Sequence, residues 1–214
     1  MYLPRHFEQN DRQELQALMA AHPLATLVAQ RTDGSLAAEH IPLLFDADDG
    51  EHGTLRGHVA RANPIWREVA ADSPVLAIFQ GADAYISPSW YASKQEHGKV
   101  VPTWNYAVVH AHGRLRPIDD PAWLRAFLPR LTERHEGHRQ NPWRIEDAPA
   151  DFIVQMLQAI VGIEIPLERL QGKWKVSQNR PAADRQGVVD GLAAEGGPGD
   201  GMAGLVGRLP GDRA

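Results

Sequence analysis

The sequence predicts a mainly β domain of the barrel or sandwich kind, with helices at its periphery. Short apolar runs of strand length follow one another with hairpin turns between them. Helical segments interrupt those runs singly, each with its own N-terminal signal. Regular alternation of strand and helix, the mark of a doubly wound sheet, is absent.

The elements follow in order. Asp11 with Glu14 three places on forms a capping box, and Leu15, Leu18 and Met19 give the following helix one apolar face. His22-Pro23 ends it, because proline disfavours helix in the residue before it. Residues 24–30 read as a strand, 32–35 as a turn built on Asp33-Gly34, and 36–45 as the returning strand. A turn over 47–50 leads to a third strand over 53–59. Asn63-Pro64 opens a helix with a capping residue and proline at the first helical position, and Asp120-Pro121 opens another in the same way. Between them lie short apolar runs over 74–80 and 84–87, and a long strand region over 100–118. Residues 151–160 predict an apolar helix and 161–167 a strand. A basic segment over 173–180 and a helix over 181–192 close the fold. The last twenty residues hold seven glycines and two prolines, too few apolar groups to offset the entropy of ordering. The expected organisation is one folded domain over 1–194 and a Gly-rich disordered tail over 195–214.

Composition narrows the function. The chain has 214 residues, 43% hydrophobic and 23% charged, enough for a core without staples. It has no cysteine, which excludes disulfides, thiolate metal sites and cysteine nucleophiles. The net charge of −5 disfavours direct DNA binding. No apolar run has the length of a membrane span, and the first residues lack a signal core, so the protein is expected in the cytoplasm.

Three segments could carry chemistry. Over 57–64 a strand gives way to a capped helix, and His58 and Arg61 beside that start form a candidate phosphate site, against the plainer reading of a solvated arginine. Over 99–106, Trp104 and Tyr106 alternate with Asn105, so the two rings share a face and could pack a planar ligand or simply the barrel. Over 173–185, Lys173, Trp174, Lys175, Gln178, Arg180 and Arg185 make a local basic patch in an acidic protein, for an anion or for solvent. His110 and His112 share a strand face but lack a third ligand, so no metal is expected. Nucleophile-elbow, P-loop and dinucleotide fingerprints are all missing.

These residues resemble the PaiB family, described as FMN-binding negative transcriptional regulators. The resemblance runs through Tyr2-x-Pro4-x-His6-Phe7, the blocks at 21–26, 40–42, 57–64, 85–91 and 98–106, and finally 172–180, with departures at Glu39 and Ala92. It implies a flavin-reductase-like split β-barrel, homodimeric, with FMN at the interface. A more distant similarity to pyridoxine-phosphate oxidases rests on Trp174, Asn179-Arg180 and Arg185, and implies that residues 172–192 reach the dimer interface. The resemblance places Arg61 and Asn63 at the FMN phosphate, His40, Ile41 and Pro42 along the isoalloxazine edge, and His58, Val59 and Ala60 beside the ribityl chain. Thr103, Trp104, Asn105 and Tyr106 would close the pocket, with Lys173, Trp174, Arg180 and Arg185 from the C-terminal segment. The function implied is a redox- or flavin-linked negative transcriptional regulator. The alternatives are an FMN-dependent oxidoreductase, its catalytic residues unassigned, and a haem-binding split barrel with His110 as axial ligand.

Overall fold

A computed structural model describes residues 1–209. Two compact units make up the chain. One comprises Met1–His22, Phe79–His110 and Gln171–Ala214, the other Pro23–Ile78 and Ala111–Leu170. Eight strands form a sheet in the order β3-β2-β6-β7-β8-β5-β4, with β1 beside β8. The long strands β6 (Ser73–Ile86), β7 (Thr103–Ile118) and β8 (Ile160–Lys175) contribute residues to both units. Among the described residues no helix is long and apolar enough to cross a membrane.

The second unit starts with the predicted hairpin. β2 (Leu24–Gln30) and β3 (Leu36–Pro42) pair antiparallel from Leu24 opposite Pro42 to Gln30 opposite Leu36. Ala25, Leu27 and Ala29 alternate inward along β2, the period-2 pattern of a half-buried strand. β4 (Leu44–Asp46) and β5 (Thr54–Ala60) follow, and β5 also pairs with β8. The sheet curls until β3 and β5 touch: a Cβ on Gly57 would meet the Pro42 carbonyl oxygen at 2.9 Å. Leu55, Val59, Ile163 and Ile165 lie inside that curl. Asp120 caps α4 (Pro121–Glu136) as predicted, accepting from the Ala122 amide at 2.8 Å. α5 (Ala150–Gln158) is amphipathic yet buries only Leu157.

Arg56 organises one side of this unit. Its guanidinium bonds Asp46 at 2.7 Å and Glu164 at 2.9 Å, and also pairs with Asp49.

In the first unit, Asp11 caps α1 (Arg12–Ala21), accepting from the Gln13 and Glu14 amides. β1 (Glu8–Gln9) pairs with the end of β8. α3 (Ser93–His97) and α6 (Ala182–Glu195) are joined by Ser93, whose amide and hydroxyl donate to the buried Asp184 carboxylate at 2.9 and 2.7 Å. α6 packs on Trp90 through Gly187 and Gly191, where a Cβ would overlap the Trp90 carbonyl and ring.

Three sequence expectations change. The helix opened by Asn63-Pro64 is a single turn, α2 (Ile65–Glu68). The runs 74–80 and 84–87 are one strand, β6, because Gly81 is a close approach and not a break: a Cβ there would meet Leu18 at 2.9 Å. The tail expected to be disordered from 195 contains α7 (Asp200–Gly207), which buries Met202 and Val206 and packs on α6. Burial of those two side chains supplies what glycine-rich composition lacks. The remainder of that expected tail, residues 210–214, lies outside the described residues.

Candidate functional site

The predicted site residues fall into two groups, one in each unit. In the second unit, β3 carries His40 and Pro42 exposed and Ile41 buried. On β5 the alternation turns Val59 inward and Arg56, His58 and Ala60 to the other face.

Arg61 follows directly, and its guanidinium is already engaged. Nε donates to the Gln158 carbonyl at 2.6 Å, and the two terminal nitrogens hold the Asp119 carboxylate at 2.8 and 2.6 Å. One of them also reaches the Ile160 carbonyl at 3.1 Å. The hydrogen bond to Asp119 raises the Arg61 pKa, and Arg61 in turn holds the Asp119 carboxyl below its ordinary range. Asn63 accepts from the Ile65 amide at 2.9 Å and so caps the single turn α2. A turn of four residues carries little dipole. Arg61 therefore reads as a neutralised clamp joining the ends of β5 and α5, not as the free cation the sequence implied. His58 is different. Its Nδ1 is sealed from solvent with no partner, and burial pushes its pKa below 6.5.

In the first unit the basic patch gathers around three cations. Lys173 is buried, donates to the Tyr2 carbonyl at 3.1 Å, and lies 5.2 Å from the Tyr106 ring centre and 5.7 Å from that of Tyr2. The Lys175 ammonium donates to Thr103 Oγ1 at 2.5 Å and to the Trp104 carbonyl. Burial lowers its pKa, and the charges of Lys173 and Arg180 lower it further. Arg180 lies 4.6 Å over the ring of Tyr91, whose hydroxyl is buried. Burial raises the pKa of that phenol, and the charge of Arg180 opposes the rise. Among the described residues no carboxylate pairs with Lys173, Lys175 or Arg180.

The chain between β8 and α6 is pinned to present this cluster. Ser177 adopts a left-handed backbone, φ 65°, rare for a residue with a Cβ. Its hydroxyl accepts from Asn105 Nδ2 at 2.9 Å, both side chains being buried. Gln178 bonds the Val176 amide at 2.8 Å, and Arg185 donates to the Arg180 carbonyl at 2.8 Å. Asn105 and Arg185, expected at the cofactor, hold the turn through these bonds. Trp174 is buried beside Gly172, and Trp104 is 55% exposed with its ring edge-on to Tyr85. Sequence reasoning left Lys175, Tyr91 and Tyr2 off the site although all three lay in noted segments. An aromatic beneath a cation is a through-space relation that spacing does not reveal.

Three half-buried or buried cations, two of them against tyrosine rings, suit a dianionic group joined to something flat. A mostly antiparallel eight-stranded open sheet with helices beside it defines a protein of the split-barrel class. Solved structures share that fold at low identity. A conserved hypothetical protein from Mycobacterium tuberculosis is 15% identical with a TM-score of 0.56, covering 85% of this chain and 94% of the other. The FAD and haem binding protein from Mycobacterium smegmatis is 18% identical with a TM-score of 0.55, covering 78% of this chain and 73% of the other.

Residues 1–169 match the family described as "Putative FMN-binding domain", and the chain belongs to that family, whose cofactor is FMN. The chain is also 35% identical over 198 residues, 92% of each protein, to the Protease synthase and sporulation protein PAI 2 of Bacillus subtilis. Lys173, Lys175 and Arg180 lie beyond the matched residues, so their role is argued from geometry.

Proposed function

We propose that the protein is an FMN-binding split-barrel homodimer that acts as a redox- or flavin-linked negative regulator of transcription. Its FMN phosphate is held by Arg180 with Lys173 and Lys175. The observation that carries this reading is a cluster of three cations that, among the described residues, pairs with no carboxylate. A phosphate monoester carries close to two negative charges and accepts at three oxygens, which suits a planar guanidinium fork flanked by ammonium groups. Binding would relieve the repulsion that depresses Lys175. Bound FMN supplies reversible uptake of electrons or hydride, and this chain supplies charge, orientation and exclusion of water.

The regulatory half rests on the name of the Bacillus relative, which concerns protease synthesis and sporulation. The net charge of −5 favours action on transcription through another protein and not through a DNA backbone. One observation favours the second reading, an FMN-dependent oxidoreductase. The ring of Trp104, whose carbonyl receives Lys175, is 55% exposed and offers a flat surface for a nicotinamide.

FMN titration followed by the visible spectrum tests the common core. Saturation at one FMN per chain is expected, and absence of any saturable change removes it. Reduction of the bound flavin by NADH or NADPH would select the oxidoreductase reading. Retarded DNA at physiological salt would contradict regulation without DNA contact.

A further inference from the structure

Within the second unit, α4, α5 and the segment around residue 143 form an open pocket of about 300 Å³ beside His58 on the outer face of β5. Its wall is apolar, formed by Leu128, Trp143, Phe152 and Met156 among others, with His58 and Thr132 as polar exceptions. Three of these side chains are large, apolar and open: Trp143 is 47% exposed, Phe152 48% and Met156 43%. An apolar helix that leaves such a face open marks a binding surface. The cavity lies at the small end of ligand-pocket sizes. It holds roughly twice the volume of an apolar cavity that accepts benzene.

His58 gives the pocket a chemical preference. Its Nδ1 is sealed and unpartnered, whereas its Nε2 has no protein partner and remains open to solvent. Burial disfavours the charged imidazolium. A sealed bare lone pair is tolerated better than a sealed orphan N–H, so the neutral ring carries its proton on Nε2 and is a donor. An apolar wall with no charged group, whose polar members are His58 and the Thr132 hydroxyl, disfavours anions and favours a neutral aromatic molecule with an acceptor oxygen. A second protein copy fits worse, because a flat contact would leave the concave floor and Nε2 unmet.

We propose that this pocket binds a small uncharged bicyclic aromatic molecule bearing one hydroxyl or carbonyl oxygen, which accepts from His58 Nε2. The inference goes beyond flavin binding and does not depend on it.

The test uses the full chain with FMN present, and 2-naphthol and naphthalene as probes in ligand-observed saturation-transfer NMR. Saturable binding of 2-naphthol at one per chain is expected. Met156→Glu, at an exposed position, should weaken both probes by tenfold or more, on the order of one unit of log affinity. His58→Phe should weaken 2-naphthol by about 2- to 12-fold, the worth of one hydrogen bond, and leave naphthalene unchanged. Absence of saturable binding, indifference to Met156→Glu, or equal loss of both probes in His58→Phe would each overturn the proposal. So would 2-naphthol binding that occurs only when FMN is omitted, since the pocket would then belong to the flavin.

Discussion

Replacing Arg180 by methionine separates the anion site from the fold. Methionine keeps much of the side chain's apolar reach over Tyr91 but removes the guanidinium, which pairs with no carboxylate among the described residues. A charge-assisted hydrogen bond is worth about 1.5–3 kcal/mol, so FMN affinity should fall by roughly 10- to 150-fold. The protein without FMN should respond in a different way. It loses a cation–π contact of about 0.5–1 kcal/mol, and it also loses one of the charges that depress Lys175. The two effects oppose, so its stability should change by less than about 1 kcal/mol. A folded-state lysine pKa below 10.5 means that the unfolded chain binds more protons. Stability of the wild type without FMN should therefore rise as pH climbs through the folded-state pKa towards 10.5, and this rise should be shallower in Arg180→Met. Quenching of flavin fluorescence on titration reads the affinity, and urea denaturation without FMN reads the stability. An affinity within twofold of wild type would refute the placement of the phosphate. A large loss of stability with unchanged affinity would recast Arg180 as a structural residue.

Arg61→Ala gives the converse: its engagement with Asp119, Gln158 and Ile160 predicts a lower melting temperature with FMN affinity within about twofold of wild type, by calorimetry and titration. Met202→Ala should cost about 2–5 kcal/mol in denaturant titration, as for a buried core side chain, whereas a disordered tail would show no effect. Arg56→Met removes the cation shared by Asp49, Glu164 and Asp46, of which Asp46 keeps Arg130 at 2.8 Å, and should cost about 1–3 kcal/mol near neutral pH, between the values for exposed and buried pairs. Arg56 holds the Asp49 pKa below 3.8, a stabilisation present above that value and lost as pH falls through the folded-state pKa, so the gap between variant and wild type should narrow in acid. Gly187→Ala drives a methyl into the Trp90 carbonyl, which cannot swing away, and should cost about 1–3 kcal/mol by thermal denaturation.

Local signals in the sequence were the most legible part of the fold. The caps at Asp11 and Asp120 and the hairpin turn at Asp33-Gly34 each act within a few residues, and each appears where expected. Errors came where a distant partner reverses a local preference. Gly81 reads as a break, but in the folded chain it is the place where Leu18 and the Ala107 carbonyl come close, so the strand passes through it. The glycines after 195 read as disorder, yet Met202 finds a buried place that composition does not announce.

The two arginines of the expected site show the same limit in its chemical form. Arg61 and Arg180 are one residue type in two motifs, and the sequence assigned both to the cofactor. What separates them is the counter-charge. Asp119, 58 residues away in the chain, neutralises Arg61, while among the described residues no carboxylate pairs with Arg180 or its two lysine neighbours. A cation that already has its anion gains little from a phosphate, because a new contact must replace an old one. A half-buried cation pressed against two others gains both the contact and relief from its neighbours. The same physics makes the unliganded cluster a strained one, held by the Asn105–Ser177 bond and the left-handed turn at Ser177. Binding an anion would release that tension, so FMN should stabilise the first unit by more than contact with its phosphate alone provides.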